Sequence, residues 1–149
     1  MRIFVDADAC PVKEIIVSMA KRYSIPVTML SDTSHIIDDG YSTCITVDKG
    51  RDSVDIALAN RISRNDIAVT NDYALAALVL SKGAYAISSN GLIYTAENID
   101  RLLFVRHISR EMRQKKKGRP KGPAARTSAD DENFKSGLLL LINKCMPTQ

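Results

Sequence analysis

The sequence has 149 residues, 45% of them hydrophobic, which suits one α/β-sized domain with its own core. The three cysteines, Cys10, Cys44 and Cys145, form no CxxC pair and have no nearby histidine, which argues against a disulfide framework or a zinc site. No apolar run approaches about 18 residues, so we expect no transmembrane helix, signal peptide or membrane partner, and a cytoplasmic protein.

Regular apolar patterns predict strands and helices that alternate along the chain. In chain order they predict a strand at residues 2–5, a helix at 12–23, strands at 26–30 and 44–47, a helix at 53–62, a strand at 67–70, a helix at 73–82, a strand at 85–88 and helices at about 95–115 and 131–143. This alternation is typical of an α/β fold with a mainly parallel sheet of about five strands. We expect an α/β domain over residues 1–111, a basic flexible loop over 112–130, and a C-terminal helix within 131–149 that packs back on the domain.

The net charge of +4 conceals two regions of opposite sign. Residues 101–126 carry ten Lys or Arg and one acid, Glu111, a local net charge of +9; the rest of the chain has 11 basic and 16 acidic residues, or −5. Phosphates bind basic surfaces and metal ions bind acidic ones. The division favours a polyanionic partner held beside a cation-binding site.

Aspartates follow the predicted strands at the edge where parallel sheets bind ligands. Asp6 and Asp8 are two apart in an extended segment and point roughly the same way, and Asp72 follows the fourth strand. Asp52 and Asp55, at the start of the second helix, share a helical face and extend the cluster. Taken alone, each aspartate is more simply explained as a turn former or helix cap, and the joint placement favours Asp6, Asp8 and Asp72 as ligands. On the helix we prefer Asp55 as a ligand and Asp52, which can cap the helix, as its helper.

Carboxylates gathered in this way repel each other and raise one another's pKa unless a cation neutralises them. Hard oxygen ligands of this kind suit Mg²⁺ or Mn²⁺. Such a site activates water and stabilises the leaving oxygen of a phosphodiester without a protein nucleophile. The aspartates therefore indicate metal-dependent phosphodiester chemistry.

At these residues the chain resembles the PIN-domain class of nucleases: a strand runs into VDAD, an Asp-led helix reads RDSVDIALA, and a strand ends in TND. More closely, FVDADACPVKE, TVDKGRDSVDIALAN, VTNDYALAA and SSNGLIYTAENID resemble the bacterial YaiI/YqxD (UPF0178, DUF188) family of uncharacterised PIN-like proteins, over nearly the whole chain. The resemblance implies a PIN-like three-layer α/β/α fold.

The same resemblance implies roles for individual aspartates. Position by position, it puts the metal and the catalysis on Asp6, Asp55 and Asp72, with Asp8 and Asp52 as neighbours that join the metal-binding set. Many PIN domains also use a glutamate on an early helix, a position that Asp52 takes here if any residue does.

The basic region offers phosphate contacts that depend on salt and not on sequence. The residues expected to contact nucleic acid are Arg106, Arg110, Arg113, Lys115, Lys116, Lys117, Arg119 and Lys121. A solvated tail or a contact with an acidic protein explains the same charges. With 5% aromatic residues and no Trp, backbone contact is favoured over base stacking.

Other reactive residues have ordinary explanations. Cys10 lies beside the acids, but no histidine is next to it and packing is favoured over nucleophilic catalysis. His35 and His107 are solitary and receive no role in the site. Polar residues that follow strands are candidates for orienting phosphate or water, although turn formation explains them equally; these are Ser31, Thr70, Asn71, Ser88, Ser89 and Asn90.

Our leading hypothesis is a metal-dependent ribonuclease that acts on RNA, or secondarily DNA, with Mg²⁺ or Mn²⁺ as its cofactor. A non-catalytic nucleic-acid-binding or ribosome-associated module is the first alternative. A phosphatase-like hydrolase of a small phosphorylated substrate is the second, since an Asp-x-Asp after the first strand also serves that chemistry. The sequence is compatible with a homo-oligomer.

Overall fold

The computed structural model describes residues 1–8, 10–32, 38–50, 52–115 and 125–146. Strands and helices alternate over most of this length, as the apolar patterns predict. In chain order they are β1 (Ile3–Asp6), α1 (Lys13–Tyr23), β2 (Val27–Ser31), β3 (Thr43–Thr46), α2 (Ser53–Arg61), β4 (Ile67–Val69), α3 (Tyr73–Ser81), β5 (Tyr85–Ile87), β6 (Ile93–Tyr94), α4 (Ala96–Lys115) and α5 (Ser128–Cys145).

The strands form one sheet in the order β3-β2-β1-β4-β5-β6. The first five strands are parallel, and Ile3 at the start of β1 is in register with Val27 of β2 and Ile67 of β4. The sixth strand, β6, is antiparallel to β5. The prediction of a mainly parallel sheet is confirmed, with β6 as an additional short strand.

Alternate residues of the central strands supply two separate cores. Ile3 and Val5 of β1 belong to a core that includes Ile16 of α1 and Phe134 of α5. Phe4, between them in sequence, faces a second core. That second core contains Leu58 of α2, Leu75 of α3 and Ile99 of α4. Because successive side chains of a strand point to opposite faces, the helices cover both sides of the sheet and the fold is a three-layer α/β/α sandwich.

Both of the last two helices occupy part of the region predicted as a loop. Helix α4 ends at Lys115, as its apolar pattern predicts, and α5 begins at Ser128 instead of near residue 131. The early start of α5 has a local cause, because Thr127 and Asp130 form a capping box in which each side chain accepts a hydrogen bond from the other's backbone N–H. Residues 116–124 of the predicted loop lie outside the described residues.

Helix α5 is fixed to the sheet by its apolar face and by contacts at its start. Phe134, Leu138, Leu141 and Ile142 are fully buried. Arg126, just before the helix, donates hydrogen bonds to the Ser89 carbonyl oxygen at 2.7 Å and to Asn90 Oδ1 at 3.1 Å, in the turn between β5 and β6. It also contacts Asp131 Oδ1 at 2.8 Å.

Helix α4 runs toward the carboxyl ends of the parallel strands. The antiparallel strand β6 runs back toward the amino ends of the parallel strands, and α4 follows it. Its later residue Arg106 therefore reaches Asp72, which follows β4. In the described part of the chain, no helix is both long enough and apolar enough to cross a lipid bilayer.

Candidate functional site

The candidate site lies at the carboxyl ends of the central strands β1 and β4. Strands β1 and β4 are neighbours, and the chain leaves them for helices on opposite faces of the sheet. Ligands of open α/β sheets bind in the crevice that this divergence leaves at the carboxyl ends of the strands. A cavity of about 430 Å³ opens there, lined by Asp6, Cys10, Val69, Thr70, Asn71, Asp72, Tyr73, Ser89 and Arg106.

Thr70 connects two of the predicted aspartates through its hydroxyl group. The hydroxyl donates a hydrogen bond to Asp6 Oδ2 at 3.1 Å and accepts one from the backbone N–H of Asp72 at 3.0 Å. Burial raises the pKa of Asp6, the Thr70 hydrogen bond opposes this effect, and the charges of Asp8 and Asp72 raise the pKa further. The buried threonine therefore sets the position of Asp6 and the backbone conformation at Asp72.

Asp72 also caps helix α3. Its Oδ1 atom accepts hydrogen bonds from the backbone N–H groups of Ala74 at 2.9 Å and Leu75 at 3.3 Å, and Arg106 Nη1 lies 3.5 Å from the same oxygen. The cap explains locally why an aspartate follows β4, as the turn-and-cap interpretation proposed. It coexists with the predicted site, because the capped carboxylate still lines the cavity.

Asp55, in the first turn of α2, belongs to the same electrostatic cluster. Its pKa is raised to about 6, by burial first and then by the charges of Asp72, Asp6 and Asp52 and by a hydrogen bond with the Asp72 carboxyl. Two carboxyl groups in hydrogen-bond contact require a proton or a cation between them. The site thus unites Asp6, Asp55 and Asp72 from three different elements.

Asp52 occupies the N-cap position of α2 without capping it. Its backbone is in the left-handed region, with φ of 65°, a conformation that aspartate tolerates better than most residues. Its side chain accepts no capping hydrogen bond. It lines a second cavity of about 290 Å³ together with Asp55 and Asp72, so it lies beside the cluster as a neighbour of Asp55.

Asp8 is held by hydrogen bonds at the end of β2. Its Oδ1 accepts a hydrogen bond from Ser31 Oγ at 2.5 Å and its Oδ2 accepts one from the backbone N–H of Asp32 at 2.9 Å, both at the end of β2. Burial acts to raise the pKa of Asp8, but these hydrogen bonds outweigh it and the pKa lies below its ordinary value. Asp8 acts on Asp6 through its charge alone.

Asp32 is an acidic residue that the sequence interpretation missed. It shares a hydrogen bond with Asp8, which raises the pKa of Asp32, and its charge contributes to the raised pKa of Asp6. The available signal was its position directly after β2, a strand that neighbours β1 in the sheet.

The donors present suit a hard divalent cation, but they are not gathered into a finished site. Among the residues that the structure describes, no three His, Cys, Asp or Glu side chains are placed to hold one metal ion together. The charges of Asp72 and Asp6 nevertheless help to raise the pKa of Asp55, and the charge of Asp72 helps to raise the pKa of Asp6. Their carboxylate oxygens are ligands that Mg²⁺ and Mn²⁺ prefer, and a cation bound among them would remove the repulsion.

Helix α4 forms a basic wall beside the acids. Arg106 lines both cavities, and His107 and Arg110 line the one that contains Asp55. His107, which the sequence pattern left without a role, contacts Glu111 Oε1 at 3.3 Å. Phosphate contacts predicted for Arg106 and Arg110 therefore fall next to the carboxylates.

The remaining predicted phosphate-binding residues lie further along the chain. Arg113 is exposed on α4, and Lys115 ends that helix. The other four lie outside the described residues; they are Lys116, Lys117, Arg119 and Lys121.

Cys10 also lines the larger cavity. Burial raises the pKa of its thiol, which keeps the group protonated and weakly nucleophilic at neutral pH. This result favours the packing interpretation of Cys10. Ser89, which lines the same cavity, donates from its backbone N–H and its hydroxyl to Asn71 Oδ1 at 2.9 and 3.1 Å, so these two polar residues hold each other in place.

Comparison with known proteins agrees with the resemblance seen in the motifs. Residues 4–144 match the model of the family described as "Uncharacterized BCR, YaiI/YqxD family". A UPF0178 protein of Ruminiclostridium cellulolyticum is 56% identical over 142 residues, covering 95% of this chain and 92% of the relative. UPF0178 proteins of Clostridium acetobutylicum and Natranaerobius thermophilus are 48% and 47% identical, each covering 95% of this chain and 97% and 96% of the relative. No solved structure matches the chain. The chain therefore belongs to the YaiI/YqxD family.

Proposed function

We propose that this protein is a metal-dependent nuclease that hydrolyses RNA phosphodiesters at a Mg²⁺ or Mn²⁺ ion held by Asp6, Asp55 and Asp72. One observation carries the proposal. Carboxylates from the end of β1, the first turn of α2 and the cap of α3 lie near one another beside the carboxyl ends of β1 and β4, where burial and the charges of Asp72 and Asp6 raise the pKa of Asp55 to about 6.

The chain's own residues divide the work of such a reaction. When bound, a divalent cation supplies Lewis-acid activation of water and stabilises the leaving oxygen. Asp6, Asp55 and Asp72 would hold the cation, and the hydrogen bond from Thr70 orients Asp6. Arg106, 3.5 Å from Asp72, is positioned to attract a phosphate oxygen to the acidic cluster.

The proposed partner is RNA ahead of DNA because of the resemblance to PIN-domain nucleases. The basic wall of α4 supplies phosphate contacts beside the acids, and the lysines and arginines after it continue the same charge along the chain. Contacts of this kind bind the nucleic-acid backbone regardless of sequence. We therefore expect cleavage of single-stranded RNA with little base specificity.

The direct test is cleavage of end-labelled single-stranded RNA with Mn²⁺, with Mg²⁺ and with a chelator. Wild-type protein should cleave with metal and not with chelator. Asp6→Asn and Asp55→Asn should each lower the cleavage rate by more than roughly 10–100-fold, the loss expected when a residue that only supports a metal ligand is replaced. Asp100→Asn is the matched control, because Asp100 is exposed on α4 and lines neither cavity, and it should cleave like wild type.

Two other results would redirect the assignment. RNA binding without cleavage by wild-type protein in any metal would favour a binding module. Release of phosphate from a small phosphoester, with an acid-stable phosphate on Asp6, would favour the phosphatase-like alternative. Unchanged RNA cleavage by both the Asp6→Asn and Asp55→Asn variants would contradict the proposed site.

A further inference from the structure

Helix α4 presents an apolar stripe to solvent. Phe104, Val105, Ile108 and Met112 are 63%, 54%, 39% and 53% exposed. Three of them are spaced four residues apart, at 104, 108 and 112, so they lie on one side of the helix. Single exposed apolar residues are ordinary, but a continuous stripe of large ones on a helix marks an interaction surface.

The stripe lies opposite the face that packs on the domain. Ile99 is buried, Leu102 and Leu103 pack against the second core, and Arg106 contacts Asp72. With about 100° of rotation for each residue, Phe104 and Ile108 lie on the side of the helix away from Arg106. A partner bound to this face would leave both cavities of the candidate site uncovered.

The charged residues beside the stripe would face opposite charges on a second copy of the helix that runs in the opposite direction. The side chains of Glu97, Arg101, Phe104, Ile108 and Glu111 follow one another at intervals of four, three, four and three residues. Such spacing forms a seam along one side of a helix. From position 101 to position 111 the seam consists of a base, two apolar residues and an acid, so its reverse places opposite charges against each other.

We propose that two copies of this chain associate through antiparallel α4 helices, related by a twofold axis at position 106. In that register Phe104 packs against the partner's Ile108, and Arg101 faces the partner's Glu111. Each pair occurs twice by symmetry. The seam from 97 to 111 is about 21 Å long at 1.5 Å rise per residue.

The charge pattern selects this arrangement over its alternatives. A parallel pair of helices would place Arg101 against the partner's Arg101 and Glu111 against the partner's Glu111, and like charges held together oppose association. A nucleic acid would be repelled by the acids of the seam and would gain little from its apolar centre. The second copy supplies both the apolar surface and the opposite charges. The proposal does not depend on nuclease activity.

The test measures the mass and self-association of the full-length protein by sedimentation velocity and light scattering. Wild-type protein should be a dimer, and the double variant Phe104→Asp with Ile108→Asp should associate at least roughly 10-fold more weakly. Both residues are exposed, so the fold should persist, as circular dichroism and thermal unfolding would verify. Lys135→Glu on α5 is the control for a change of surface charge away from the seam and should leave the dimer unchanged.

Charge reversal tests the register. Arg101→Glu and Glu111→Arg should each weaken the dimer by roughly 10-fold, because each creates two like-charge contacts. Glu111 also contacts His107 of its own helix, so a single reversal does not isolate the pairing. The combined variant, which exchanges the two charges and recreates both pairs in reverse, should restore the dimer.

Three results would overturn the proposal. The first is a wild-type protein that stays monomeric at millimolar concentration. The second is a dimer that the apolar double variant leaves intact. The third is a combined charge-reversal variant that associates no better than either single one.

Discussion

Replacing Asp55 with asparagine should stabilise the metal-free protein at neutral pH. The folded-state pKa of Asp55 is raised from 3.8 to about 6, so the folded protein binds this proton more tightly than the unfolded chain does. The contribution of protonated Asp55 to the free energy of unfolding is fully present below about pH 4. It decreases as the pH rises to about 6 and is absent above that pH. Asparagine cannot ionise, so the variant escapes the loss.

The size of the gain follows from the pKa and the exposure. A change from 3.8 to about 6 corresponds to about 3 kcal/mol, at about 1.4 kcal/mol for each pKa unit. Asp55 is only partly buried and water screens its interactions, so we expect about 1 kcal/mol at pH 7.5. For a chain of this length that raises Tm by roughly 2–4 °C.

The assay is thermal and urea unfolding from pH 4 to pH 8 with chelator present. The difference between Asp55→Asn and wild type should vanish near pH 4. Asp100→Asn is the control for the same change of side chain outside the acidic cluster. A gain that is independent of pH, or absent at pH 7.5, would refute the view that Asp55 is destabilised by its acidic neighbours.

Three further changes test other parts of the structure. Thr70→Val removes the donor to Asp6, so the pKa of Asp6 should rise further by NMR titration and urea unfolding should show a loss of about 1–3 kcal/mol. Gly91→Ala should lower stability by at least about 1–3 kcal/mol in thermal unfolding, because φ is +90° and a Cβ would lie 2.4 Å from the Asn133 carbonyl oxygen. Arg106→Gln should reduce the slope of RNA affinity against salt concentration by about one, and an unchanged slope would remove Arg106 from the phosphate-binding surface.

Periodicity predicted the alternating strands and helices of this fold and its mainly parallel sheet, whereas the resemblance to PIN domains implied the three layers. The division of Ile3, Phe4 and Val5 between two cores could not be seen in their apolar run, because all three residues are apolar. The short strand β6 escaped prediction because two residues cannot show a period. The start of α5 was placed late because the turn that Thr127 and Asp130 cap contains a single small apolar residue, Ala129, and so shows no apolar period.

The sequence predicted only those site residues that lie at the ends of strands. Asp6 and Asp72 follow strands that become neighbours, so the sheet brings them together. The hydrogen bond between Asp8 and Ser31 depends on β2 being the neighbour of β1, and the order of strands in the sheet cannot be read from the sequence. The position of His107 depends on the direction of α4, which is a tertiary property.

The two residues of β6 determine what the longest helix can reach. Because β6 reverses the direction of the chain, α4 runs toward the carboxyl ends of the parallel strands. Its basic second half therefore lies beside the aspartates of the candidate site, where Arg106 contacts Asp72. One extra residue between Tyr94 and Ala96 would turn the helix by about 100° and advance it by about 1.5 Å. Such an insertion would carry Arg106 off the cleft and move the apolar stripe toward the sheet. Length variation should therefore be tolerated far less at this junction than on the exposed surface.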